Sequence, residues 1–246
     1  GWNVPLGAGV TTNRRQGEPF WITAAERNQR STVLRVPVTF PPDPIQRMIS
    51  GMGVPDLLGT QGTYTLYTTA APDSNADNGG RVERVRMAES GRIETHLFGP
   101  AHPLAPDAPA LSIPLRIEAR EDGASLTLGT ESRELGVGAW SDWWPVRFDY
   151  GPGSIPAMVR MHLQSGFPRP RLYVSPIQVD PLDAAIAISA PPDEATELAR
   201  RIGRYHTLGM PEETWSLNQG HLDEQAFLDM VATTLAEGEA MLYDAL

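Results

Sequence analysis

The 246-residue chain contains no cysteine and no lysine. The first absence removes disulfides, thiolate nucleophiles and cysteine-based zinc or iron–sulfur sites, and it leaves the redox compartment open. The second makes all 20 basic residues arginine and rules out a Walker lysine, a Schiff-base lysine and a Ser-Lys dyad. An arginine-only basic set beside 23 Pro and 23 Gly fits a GC-rich genome better than a function. No apolar run approaches the ~20 residues that span a bilayer, so no membrane partner is expected. The net charge of −10 carries no basic stripe, which argues against a nucleic-acid duplex as partner. G-x-S-x-G, H-E-x-x-H, a phosphate-binding P-loop and a complete EF-hand are all missing.

The five histidines, His96, His102, His162, His206 and His221, stand far apart, none with a carboxylate or second histidine at a recognised ligand spacing. In DSNADNG, Asp73, Asn75 and Asp77 alternate as in the first half of a calcium loop, but Arg84 stands where the bidentate glutamate is required. A solvated hairpin turn is the expectation there. Asp142, Asp149 and Asp180 near strand ends read as turn residues rather than catalytic carboxylates. In AWSDWWPVRF, Trp140, Trp143 and Trp144 could form a sugar-stacking platform or pack in a core. Alternation along a strand sends Trp143 and Trp144 to opposite faces, so they cannot share one flat surface.

What is present gives three zones. A chain of this length typically buries ~70 to 75% of its extendable surface, so a substantial core is expected. In residues 1–61, EPFWITAAERNQR suits a short helix, and Thr32 to Thr39 (TVLRVPVT) is an apolar, β-branched run of the kind buried in a parallel sheet, limited by Pro37. Residues 62–180 give strand after strand with Gly, Pro, Asp and Asn between them, the spacing of an antiparallel sandwich or barrel-like module. Residues 181–246 turn helical. The last helix places Phe227, Met230, Val231, Thr234, Leu235, Met241 and Leu242 at helical spacing, with Asp223 as N-cap. The chain opens GWNVPLGAGV without an initiator methionine or a signal pattern, and this helix runs to Leu246 without a C-cap. The chain is therefore expected to be an interior fragment that meets missing flanking segments of the same protein or self-associates.

The stretch SGMGVPDLLGTQGTYTLYTT, residues 50–69, places four glycines ahead of a strand, as if a loop approached something closely. With the residues before it, TVLRVPVTFPPDPIQRMISGMGVPDLLGTQGTYTLYTT closely resembles an interior segment of the bacterial type I phosphodiesterase/nucleotide pyrophosphatase proteins of the alkaline phosphatase superfamily. Similar blocks occur in the same order: RRQGEPFW upstream, then WSDWWPVRF, RLYVSPIQVDP, AISAPP and YHTLGMPEETWSLNQGHLDEQAFL. The resemblance spans essentially the whole chain.

It implies a fold class: α/β, with alkaline-phosphatase-like core elements in 1–61 and 181–246 and a β-rich antiparallel insert in 62–180. It also implies a hydrolase of phosphate esters in which two divalent metals, usually zinc, flank a threonine or serine nucleophile. The family's nucleophile and metal ligands lie outside the blocks matched here. Thr11 and Thr12 sit in the wrong block, so no catalytic residue and no metal ligand is assigned in this chain. The resemblance would set Arg35 to Gly62 beside the mouth of the phosphate site, with Arg35, Asp56 and Thr60 as polar substrate-binding candidates and Tyr205 and His206 as weaker ones. The glycines could equally serve tight turns between core and insert. A self-contained, non-catalytic β-rich binding module is the alternative function.

Overall fold

The computed structural model describes residues 11–70, 79–105 and 107–246. The run TVLRVPVT forms only a three-residue strand, β1 (Thr32–Leu34). An extended strand to Thr39 is corrected: Arg35 and Val38 take positive φ, 52° and 59°, in the left-handed region outside β space. The chain turns there because the Arg35 guanidinium donates to the carbonyls of His206 and Leu208, at 2.7 and 3.0 Å. A strand continued to Thr39 would carry the side chain away from them.

β1 pairs in parallel with β2 (Arg47–Ile49). The third strand of this sheet comes from the other end of the chain. The run of strands β3 (Tyr64–Thr68), β4 (Gly80–Arg84), β5 (Arg92–Phe98), β6 (Ser112–Arg120), β7 (Gly123–Leu128), β8 (Glu131–Gly136), β9 (Trp144–Asp149), β10 (Ser154–Val159), β11 (Met161–Ser165) and β12 (Arg171–Val174) intervenes before β13 (Ser189–Ala190). β13 then pairs antiparallel with β2 through Ile49↔Ser189 and Met48↔Ala190.

Helices cover both faces of this small sheet. Val33, Met48 and Ala190 pack with Trp21 of α1 (Phe20–Glu26). Ile49, with Leu34 beside it, packs with Ala195, Leu198 and Ala199 of α2 (Glu194–Ile202) and with Tyr205. After the short α3 (Thr214–Asn218), the long α4 (Glu224–Ala245) brings Met241 to the same cluster. Burial on both faces is why these short strands read as continuous apolar runs rather than as alternation.

Between the two flanks the fold is β-rich and largely antiparallel. β5 to β8 form a four-stranded meander, β9 and β10 a hairpin, and a third sheet runs β11-β12-β3-β4, in which β3 and β4 are the parallel pair. Along β6, Ile113, Leu115 and Ile117 point inward while their neighbours face water, the pattern of a sheet covered on one side. Their apolar faces merge with those of the other two sheets into one core around Trp144 and Phe148. The chain is thus mixed α/β and dominated by antiparallel sheets.

Two expectations about α4 meet different outcomes. The Asp223 carboxylate accepts from the Ala226 N–H at 2.8 Å, the N-cap expected. The apolar face is only half covered: Met230 and Met241 are buried, whereas Leu235 and Leu242 stay exposed. Helical periodicity marks apolar positions, but the face that is buried follows from the neighbours: the α2 cluster takes Met241, and Met230 lies beside Trp140, Trp143 and His206.

Candidate functional site

The loop of residues 50–63 approaches a neighbouring segment of the chain. A Cβ on Gly51 would lie 2.3 Å from the Arg35 carbonyl oxygen, and one on Gly209 would lie 2.6 Å from Gly53 N and 2.9 Å from Gly51 O. The two glycines let the Arg35, Gly51–Val54 and Gly209 backbones cross within contact distance. The Thr39 hydroxyl accepts from Gly51 N at 2.9 Å, and Gly209 N donates to Val54 O at 2.9 Å.

The polar candidates of this loop hold one another. Asp56 is buried, and its carboxylate accepts four hydrogen bonds: Oδ1 from Leu58 N (3.0 Å) and Thr60 N (2.8 Å), Oδ2 from the Thr60 hydroxyl (2.6 Å) and Thr63 N (2.8 Å). Asp56 and Thr60 therefore spend their hydrogen-bonding capacity inside one turn, just ahead of β3. Removing a buried charged acceptor orphans its donors. Asp56→Ala should lower unfolding stability by about 3 kcal/mol, measured as a shift in denaturant midpoint at constant slope. A shift below a third of that would mean the turn reforms around water. The Arg35 guanidinium, satisfied by two carbonyls, is pulled down to about 10 by burial, against the opposing charges of Glu212 and Glu237.

Tyr205 and His206 follow α2 and part company. The Tyr205 hydroxyl donates to Ala195 O at 3.2 Å inside the α/β unit, where burial pushes the phenol up. His206 faces α4. Its Nδ1 is hydrogen-bonded to Glu237, whose Oε2 also accepts from His206 N at 2.8 Å. Glu237 Oε1 accepts from the Trp143 indole N–H at 2.8 Å. Burial holds the His206 imidazole below its ordinary range, against the raising effect of Glu237. A neutral ring that donates from Nδ1 leaves Nε2 as an acceptor.

This triad borders an open cleft of about 340 Å³ lined by Asp142, Trp143, Arg160, Arg204, Thr233 and Glu237. A narrow recess behind it adds Trp140, His206 and Thr234. The guanidinium carbon of Arg160 lies 5.3 Å from the Trp140 ring centroid and 5.8 Å from that of Trp143, within cation–π range. Trp144 points the other way into the core, 1% exposed. The two adjacent tryptophans thus divide as expected, one to the core and one to the cleft, although β9 begins only at Trp144.

Sequence reasoning passed over Arg160 and Glu237, although each carries a signal. Arg160 interrupts the apolar strand run AMVRMHL. Glu237 falls on the helix face of Met230 and Met241, seven and four residues away, where a core residue would stand.

A larger cleft, about 750 Å³, lies between the meander, the β9–β10 hairpin and Asp180. Its charges are largely paired: Asp180 binds Arg204 through two oxygens at 3.1 Å while capping the turn at Leu182, and Arg147 pairs with Asp183. Among the described residues no group of three or more His, Asp or Glu side chains could hold a metal ion. The described residues therefore do not fit the metal pair that the resemblance would imply. Asp73, Asn75 and Asp77, which resemble half a calcium loop, lie outside the described residues. Comparison with protein-family models, with curated proteins and with solved structures returns no match for this chain.

Proposed function

We propose that residues 1–246 form the middle of a metal-dependent phosphoric ester hydrolase, contributing part of an alkaline-phosphatase-like α/β core and the β-rich insert that covers its active site. One observation carries this reading. Segments on either side of the β-rich zone, 32–49 and 189–190, share one sheet with helices on both faces. An α/β core interrupted by a long insert requires that arrangement, and the ordered sequence blocks supply the family. In this reading the nucleophile and the two divalent metals, zinc by the resemblance, reside in polypeptide outside these residues, and the substrate is a phosphate ester. Arg35, Asp56, Thr60 and the Tyr205–His206 segment act as positioning residues that fix the loop between core and insert.

The test is turnover of an activated aryl phosphodiester. The 246-residue chain alone should be inactive with or without zinc or manganese, and the polypeptide extended by its flanking coding sequence should hydrolyse the ester and lose activity to a chelator. Metal-dependent turnover by the 246-residue chain, or an extended polypeptide that neither holds metal nor turns over, would overturn the proposal. The latter result would favour the non-catalytic binding module, a reading supported by the aromatic cleft at Trp143 and Arg160, which needs no group from outside the chain.

A further inference from the structure

We propose that the cleft between the β10–β11 junction and α4 is a binding site for a small oxyanion, carboxylate or phosphate, held by the Arg160 guanidinium against the Trp143 indole. Arg160 sits between β10 and β11 and is fixed at its root: its backbone N–H donates to the Ser175 hydroxyl at 2.9 Å, and its Nε donates to the Ser141 carbonyl at 2.9 Å. Two indoles flank the group. The Nη atoms, with four N–H donors, meet no acceptor and no carboxylate within hydrogen-bonding or ion-pair distance among the described residues.

That is exceptional in this protein. The other half-buried arginines all have an Nη partner: Arg15 binds Asp43, Arg35 two carbonyls, Arg47 Asp244, Arg133 Glu131, Arg171 the Gly220 carbonyl and Arg204 Asp180. The outer fork of Arg160 faces the open cleft rather than a protein partner, and a bidentate oxyanion would give it two charge-assisted hydrogen bonds.

Two of the other charges in the cleft are already committed. Glu237 has one oxygen on Trp143 and the other on His206, and Arg204 is held by Asp180. The Thr233 hydroxyl donates to Asp229 O at 2.9 Å. Asp142 is exposed at the rim. The uncommitted charges facing the 340 Å³ space are therefore the half-buried Arg160 and, at the exposed rim, Asp142. An anion would be held by Arg160 on the side away from Asp142, and the Trp143 face suits a ligand with a flat apolar body. This inference does not rest on the hydrolase reading, because it needs neither metals nor a nucleophile, and the two can fail separately.

The test is titration of the 246-residue chain with phenylphosphonate, benzoate and inorganic phosphate, followed by calorimetry and by the indole N–H resonances of Trp143 and Trp140. Phenylphosphonate has no ester bond to cleave, so binding is read apart from hydrolysis. Saturable binding that shifts the Trp143 resonance is expected for at least one of the aromatic anions, and comparison of the three identifies phosphate or carboxylate as the preferred group. Arg160→Gln should weaken that binding about tenfold or more with the thermal midpoint retained, whereas Arg147→Gln, in the larger cleft, should leave it unchanged. If none of the anions moves the Trp143 resonance of the unsubstituted protein, the proposal fails whether or not Arg160→Gln folds. It also fails if Arg160→Gln folds and binds as tightly as the parent.

Discussion

Gly51→Ala is expected to destabilise the protein by about 3 kcal/mol or more, a large effect for the addition of one methyl group. The new Cβ would sit 2.3 Å from the Arg35 carbonyl oxygen and 2.6 Å from that of Val36. Both obstacles are backbone, so no rotamer change relieves the clash. Either residues 35–36 or the 50–54 segment must move. The first movement pulls the Arg35 guanidinium off the His206 and Leu208 carbonyls, and the second breaks the Gly51 bond to Thr39 and the Gly209 bond to Val54. The neighbouring Gly59→Ala meets no atom within 4 Å and carries only the strain of its positive φ, 78°, about 1 kcal/mol. Chemical denaturation of the two variants checks this directly. Equal midpoints would show that the Arg35–Gly51 crossing gives way easily.

The second large effect is expected at Glu237. Glu237→Ala leaves the His206 N–H, the His206 ring and the Trp143 indole N–H without their acceptor, at a cost of about 3 kcal/mol. It also removes a carboxylate that bridges α4, the segment after α2 and the β-rich zone. Glu237→Gln keeps the shape and one acceptor oxygen and should lose about half as much.

The same bridge sets an acid response whose sign follows from linkage. Burial holds His206 below its ordinary 6.5, with Arg35 pushing the same way and Glu237 and Glu212 opposing. The unfolded chain therefore takes up the proton first, and stability falls as pH drops below about 6.5. Burial alone would raise Glu237, but the hydrogen bonds from the His206 ring and backbone and from Trp143 outweigh it and hold the carboxyl below its ordinary 4.5. Again the unfolded chain protonates first, so a second loss begins below about pH 4.5. The difference in stability between parent and Glu237→Gln should be constant near neutrality and shrink below about pH 4.5. Stability curves that stay parallel into acid would show that Glu237 is not ionised in the folded chain.

Much of the secondary structure follows from signals confined to a few residues. Asp223 caps α4 because its carboxylate reaches an N–H three residues on. Ile113, Leu115 and Ile117 face inward along β6 because a strand repeats every two residues. Such features depend on spacing and are legible wherever the spacing is clean. The β-rich middle between two α/β flanks is legible for the same reason, from strand-like runs separated by turn residues.

The sequence by itself thus determined a cysteine-free and lysine-free chemistry, the order of strands and helices and the α4 cap. Tertiary structure alone decided the remainder, and each case joins residues far apart in the chain. TVLRVPVT stops being a strand at Arg35 because the carbonyls that hold its side chain lie 171 and 173 residues away. Leu235 and Leu242 stay exposed while Glu237 turns inward, because α2, β1 and His206 occupy that side of α4. Trp143, Arg160 and Glu237 meet in one cleft from three separate segments of the chain. Local patterns fix how a segment folds, since the forces behind them act within a turn or between strand neighbours. Which face is buried, and which charge is left without a partner, depends on what packs there, and that is settled only when the distant segments arrive.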